Sequence, residues 1–188
     1  MGRWEPNARE RLATAALQLY SERGYEQTTV AEIARRAGLT ERTYFRHYAD
    51  KREVLFDGSG ALQELFVQAV AEAQESAVPI DAMAAGLDAV SAVFVDRRDH
   101  ARQRQAVIVA NAELQERELI KLASLSAALA DALRVRGVAE PAASLTAEAG
   151  VAVFKIGFER WITATEERTL SQLMRESLDQ LKVVTAGG

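Results

Sequence analysis

Glu41, Arg42, Thr43, Phe45, Arg46 and His47 stand within seven consecutive positions, and Lys51 and Arg52 follow after a short gap. Two guanidiniums, a carboxylate, a hydroxyl and a phenyl ring make a hydrogen-bonding and packing set, not a nucleophile with its base. A guanidinium can donate to guanine N7 and O6, a carboxylate can accept from cytosine N4, and a phenyl ring can touch a thymine methyl. The chemistry that fits is the reading of base edges in duplex DNA.

Such side chains need elements to aim them, and the stretch TTVAEIARRAGLTERTYFRHYADK at 28–51 supplies two short helices broken by a glycine. Thr29 with Glu32 forms a capping box that starts the first. Val30, Ile33, Ala34 and Ala37 recur at helical spacing and give it one apolar stripe. Gly38 provides the permissive backbone of a helix end. Thr40 caps the second helix, which runs to Tyr48 and is too short to stand alone. Tyr44 and Tyr48, four apart, face inward, which turns Glu41, Arg42, Thr43, Phe45 and Arg46 outward. A helix expected from Pro6 to Arg23, with Leu12, Ala16, Leu19 and Tyr20 on one side and Gly24 at its end, is the surface both would pack on. The layout is a helix-turn-helix.

The run from Ala15 through Tyr20, then Glu22-Arg23-Gly24-Tyr25, Thr28-Thr29-Val30, Ile33-Ala34, Ala37-Gly38, Thr43 and Lys51 resembles the DNA-binding signature of the TetR family in order and spacing. That resemblance covers about the first quarter of the chain. It implies an all-helical homodimer that acts as a transcriptional repressor, bound to a palindromic operator in double-stranded DNA and released by a small hydrophobic ligand. Carried over residue by residue, it makes Glu41, Arg42, Thr43, Phe45 and Arg46 the groove-facing set, with Thr40 at the start of the same helix. Thr28, Thr29, His47 and Lys51 become phosphate contacts. Phe45 departs from the pattern, since many members have there a tyrosine whose hydroxyl reaches a phosphate. Plainer roles stand beside these: Thr29 is first a helix cap, His47 a surface histidine, and Arg42, Arg46 and Glu41 solvated charges. Farther on, Asn111-Ala-Glu-Leu-Gln-Glu-Arg-Glu-Leu and its surroundings resemble the C-terminal domain of mycofactocin-type regulators, which implies an acyl-CoA among the candidate effectors.

Composition agrees once the chain is divided. The whole carries a net charge of −4, but residues 1–52 hold ten Lys or Arg against seven Asp or Glu, hence +3, and the remainder −7. A modestly basic head on an acidic body is compatible with a polyanion partner. With 188 residues and 48% hydrophobic content the chain can bury a sizeable core. The absence of cysteine excludes disulfides and thiolate metal sites, and no apolar run has membrane-spanning length. The polar opening Met-Gly-Arg-Trp-Glu-Pro does not read as a signal peptide, so a cytoplasmic location is expected.

The expected fold class is all-α, about nine helices, with a DNA-binding domain over 1–48 and a ligand-binding and dimerisation domain over 49–188. Asp50 to Glu53 is expected to cap a fourth helix running to about Gln74, with the Asp57-Gly58-Ser59-Gly60 stretch as a flexible joint, a close helix crossing or a local break. Beyond Pro141 a helix carries Val151, Phe154, Phe158 and Trp161 on one side and Leu145, Ala149, Ala152 and Ile156 on the other. Two apolar faces require two partners, the helix's own core and a second subunit, or else complete burial within one subunit. The stripe Leu170, Leu173, Ser177, Leu181 and Val184 is expected to complete that interface.

Met83, Leu87, Val90, Phe94, Val107, Phe154, Phe158 and Trp161 are the candidate effector lining, rich in apolar surface and poor in polar anchors. The run from Asp96 to Arg104 adds four arginines that could hold an anionic head group or form a solvated face. No cofactor or metal is implied: outside the head His100 is the one histidine, and no Glu-x-x-His pair exists. A helical-bundle enzyme therefore lacks its chemistry, whereas a ligand-independent architectural DNA-binding protein remains an alternative. Neither the operator, the regulated genes, the effector's identity nor the choice of repression over activation follows from these residues.

Overall fold

A computed structural model describes residues 7–186, and among them the chain forms nine α-helices, one 3-10 turn and no strand. In order these are α1 (Ala8–Arg23), α2 (Val30–Arg36), α3 (Glu41–His47), the turn Glu53–Phe56, α4 (Ser59–Ala71), α5 (Pro79–Ala92), α6 (Arg98–Val109), α7 (Ala112–Val135), α8 (Ala142–Thr163) and α9 (Leu170–Thr185). The all-helical class expected from the periodicities is the one observed. Pro6, expected to begin the first helix, and Gly187 and Gly188, expected to form a frayed tail, lie outside the described residues.

The expected fourth helix from Asp50 is two elements. Asp50 does act as a cap, its carboxylate accepting the amides of Arg52 (2.8 Å) and Glu53 (3.2 Å), but the element it starts is the 3-10 turn. Gly58, at φ +81°, then breaks the chain before α4 begins, so the Asp57-Gly58 pair is a local break.

The chain divides into two compact units. One gathers the described residues up to Gly58 with 103–119, and the other holds 59–102 with the described residues from 120 onward. In the first, Leu12, Leu19, Ile33 and Tyr44 are fully buried together with Val54, Ile108 and Leu114, so the ends of α6 and α7 that meet at Asn111 complete the core of the helix-turn-helix. Burial of each such side chain stabilises by roughly 1.5–3 kcal/mol. In the second unit α4, α5, α7, α8 and α9 surround Phe66, Met83, Val90, Leu129, Leu133 and Met174. Close helix approach matters here: a Cβ on Gly150 of α8 would fall 2.3 Å from Met83 Sδ of α5.

The α9 expectation needs correction. Leu170, Leu173 and Ser177 face the second unit's own core beside Met174 and Leu178, while Val184 is 70% exposed, so most of this stripe is consumed within the subunit. A capping box of Thr169 and Gln172 starts the helix and sets that register. On α8, by contrast, Val151 and Trp161 of one expected face are buried and Phe154 and Phe158 half-buried, while on the other Leu145 (66% exposed), Ala152 and Ile156 (50%) are exposed and Ala149 is half-buried.

Candidate nucleic-acid interface

The head is built from the turn outward. Thr29 Oγ1 accepts the Glu32 amide at 3.2 Å while Glu32 Oε2 accepts the Thr29 amide at 2.9 Å, so α2 starts with its orphan donors satisfied. These bonds hold the Glu32 carboxyl below the usual carboxylate range. At the other end Gly38 adopts φ +68°, and Arg11 of α1 donates to the Ala37 carbonyl. The left-handed conformation therefore calls for glycine, and a Cβ there, 2.8 Å from that guanidinium, would also push it aside.

Thr40 then caps α3, accepting the Thr43 amide at 3.2 Å. This seven-residue helix is fixed by its inner face. Tyr44 is fully buried with its hydroxyl donating to the Asp50 carbonyl (3.1 Å), and Tyr48, 3% exposed, donates to the Arg9 carbonyl (3.2 Å). Burial raises both phenols, Tyr48 to about 12, so they stay neutral donors. Sequence periodicity identifies them as inward but gives no sign that their hydroxyls tie α3 to the chain on both sides.

With the inner face held, Glu41, Arg42, Phe45 and Arg46 are exposed on the outer one, and Thr43 is half-buried beside them with its hydroxyl on that of Thr40 (3.0 Å). Neither Arg42 nor Arg46 has an ion-pair partner among the described residues. Phe45 is 55% exposed, an apolar ring beside two cations. Thr29 is exposed at the N-terminus of α2, a position suited to an anion.

Other sequence candidates are placed differently. Thr28 is 1% exposed and its hydroxyl donates to the Gly24 carbonyl at 2.9 Å, so it braces the α1–α2 connection from inside. Lys51 is half-buried, with its ammonium donating to the Tyr25 carbonyl (2.9 Å) 4.0 Å from the centre of the Tyr25 ring. The Tyr20 hydroxyl holds the Lys51 carbonyl at 2.8 Å. His47 is half-buried, its Nε2 has no partner, and burial, reinforced by Arg46 and Arg9, holds its pKa below the ordinary histidine value.

Of the candidate effector lining, Met83, Leu87, Val90 and Trp161 are buried in the second unit and Phe94, Phe154 and Phe158 are packed against them, partly exposed. Val107 is not with them. It lies in the first unit's core, because the α6 register sets it beside Ile108, with Leu114 of α7 in the same cluster. In the arginine run Arg97 and Arg102 are exposed, as a solvated face requires, and Arg98 and Arg104 are half-buried. Arg98 donates to the Ala164 and Glu166 carbonyls and Arg102 to that of Ile162 (2.8 Å), which together close the end of α8. Arg104 donates to the Leu55 carbonyl at 2.7 Å and pairs with Glu118 at 3.4 Å. Among the described residues no group of three His, Cys, Asp or Glu could hold a metal, and no helix is long and apolar enough to cross a membrane.

Two family models match successive stretches of the chain. Residues 12–57 match the family model described as bacterial regulatory proteins, tetR family, and residues 77–186 match the MftR C-terminal domain. The chain is 38% identical over 82 residues to the HTH-type transcriptional regulator TcmR of Streptomyces glaucescens, covering 44% of this chain and 36% of TcmR. It is 31% identical over 117 residues to MftR of Mycobacterium tuberculosis, a transcriptional regulator named for mycofactocin biosynthesis, covering 61% of this chain and 58% of MftR. It thus spans well under two thirds of either curated relative. Among solved structures it is similar to FadR of Thermus thermophilus, a TetR-family transcriptional repressor in complex with lauroyl-CoA, with 25% identity, a TM-score of 0.57 and 93% of each chain covered.

Proposed function

The chain belongs to the TetR family of transcriptional regulators, a family of DNA-binding proteins and not of enzymes, and from that premise we propose a homodimeric repressor that leaves a palindromic operator when a small hydrophobic molecule enters its C-terminal part. The division of labour proposed is DNA reading by residues 1–48 and effector binding and dimerisation by 49–188. The observation that carries the reading is the outer face of α3, where Arg42, Arg46, Phe45 and Glu41 are exposed on a helix locked from behind by two buried tyrosines. Arg42 and Arg46 reach base edges or phosphate, Thr29 and His47 hold phosphate, and Lys51 acts through the Tyr25 carbonyl by keeping the head's shape.

Dimerisation is supported by α8, whose Leu145, Ala152 and Ile156 form an apolar face with no partner in this subunit. Two heads on a two-fold axis read half-sites about 34–36 Å apart, or a multiple of one helical turn. Release is supported by α6. Its Arg98 and Arg102 are fastened to the end of α8 in one unit and its Arg104 to Leu55 in the other, so a displacement of the α8 end is carried along one continuous helix. The lauroyl-CoA on FadR supports an apolar effector, whereas three of the four arginines in this run, Arg98, Arg102 and Arg104, already donate to backbone carbonyls of the chain itself.

The test is a fluorescence-anisotropy titration of operator DNA with the parent chain and with Ala152→Arg, paired with sedimentation. The variant should sediment as a folded monomer and lose operator binding, because a charge forced into a packed apolar interface goes unpaired. A dimeric, DNA-binding variant would move the interface off α8.

A further inference from the structure

On α8 the outward face is marked by Leu145, Ala152 and Ile156, and at 100° per residue Phe154 and Phe158 point to roughly the opposite side. Their inward neighbours Ala147, Gly157 and Trp161 are sealed, yet Phe154 and Phe158 keep part of their surface open. Part of the surface of each of these two rings is therefore left free in the second unit. Phe94 is in the same condition and meets Phe158 edge to face at 5.5 Å and Trp161 at 6.0 Å, while Phe154 and Phe158 stack at 6.1 Å with 29° between their planes. These are the separations at which aromatic rings attract beyond their area, and a flat ring system can extend such an array where a flexible chain cannot.

A second observation lies at one end of the row. Arg98, the first residue of α6 and four positions after Phe94, grips the Ala164 and Glu166 carbonyls just past Trp161, and its Nε–H is buried with no acceptor among the described residues. A buried donor left unpaired is unfavourable, so an acceptor delivered there gains a bond that the unliganded protein lacks. A carbonyl oxygen satisfies it without bringing charge beside Arg98 and Arg102, which are already engaged with backbone carbonyls.

We propose that the second unit binds a planar, uncharged aromatic molecule with a carbonyl acceptor, ring against Phe94, Phe154 and Phe158 and oxygen on Arg98 Nε. This rests on the effector reading above and narrows its chemical class. The test is calorimetric titration of the full chain with 9-fluorenone, with fluorene, which lacks only the carbonyl, and with lauroyl-CoA, with operator release followed in parallel.

Fluorenone should bind about tenfold more tightly than fluorene and release the operator. Phe158→Leu should weaken fluorenone about tenfold. Arg98→Lys, which keeps a cation for the two carbonyls but removes the Nε–H, should bring fluorenone down to fluorene's affinity. Equal binding of the two tricyclics, no binding of either, or indifference to Phe158→Leu would overturn the proposal. If lauroyl-CoA alone binds and releases DNA, the aromatic class falls and the effector reading stands; if no probe does either, both fall.

Discussion

Arg42 and Arg46 project from α3 without an ion pair among the described residues, so none of those residues competes with DNA for them. Arg42→Ala is therefore expected to weaken specific binding by about 1–3 kcal/mol and to relax preference at one position in each half-site. Lys51→Met should behave otherwise: by releasing the Tyr25 carbonyl it should lower the melting temperature of the head and weaken all sequences alike, with the salt slope nearly unchanged. A salt titration on cognate and random duplexes separates the two. His47 adds a pH dependence. Burial first, then Arg46 and Arg9, with Asp57 opposing, lowers its pKa in the unbound protein, and a phosphate beside it favours the cation. DNA binding should then take up a proton, strengthening as pH falls from about 8 to about 6, and His47→Gln should flatten that trend. Folding carries the opposite sign. A base whose folded pKa is depressed contributes stability that is full above the unfolded histidine value and erodes as pH falls below it.

At the scale of elements, α2 depends on a reciprocal cap and a single left-handed residue. Thr29→Ala should destabilise the head by about 1 kcal/mol, and Gly38→Ala by about 1 kcal/mol or more through strain and the displaced Arg11 guanidinium. Glu32, whose pKa is lowered chiefly by the Thr29 backbone amide, contributes stability present above the unfolded carboxylate value and lost as pH falls through its folded one. Acid melts followed by circular dichroism should show this component missing in Glu32→Gln. These features are legible in the sequence because caps and glycine ends are local chemistry: Thr29 with Glu32, Thr40 and Gly38 each announce themselves within four residues. The inward Tyr44 and Tyr48 and the two faces of α8 are legible by period. The features that escape a sequence reading are set by distant partners. Val107 looks like any apolar residue of a ligand wall, and only the packing of Leu114 and Ile108 against the head assigns it elsewhere. The arginine run reads as a free charge cluster because the carbonyls that Arg98 and Arg102 close lie some sixty residues away along the chain. Asp50 is a cap as expected, but for a 3-10 turn, since Gly58 interrupts the helix that periodicity continues.

At the scale of the whole molecule, a seven-residue helix such as α3 reaches too few bases to select one site in a genome, and the two-fold pairing proposed through α8 would make the reading specific. The charge distribution is compatible with that proposal, with +3 on residues 1–52 and −7 on the remainder. The central claim is that paired α3 helices read an inverted repeat, and selection of bound sequences from random duplex DNA by the full chain tests it most directly. The enriched sites should contain two half-sites in inverted orientation at a fixed spacing, and the Arg42→Ala chain should return the same repeat with one position per half-site degenerate. Enrichment of a single unpaired half-site, of no sequence at all, or of an unchanged repeat by the variant would contradict the account.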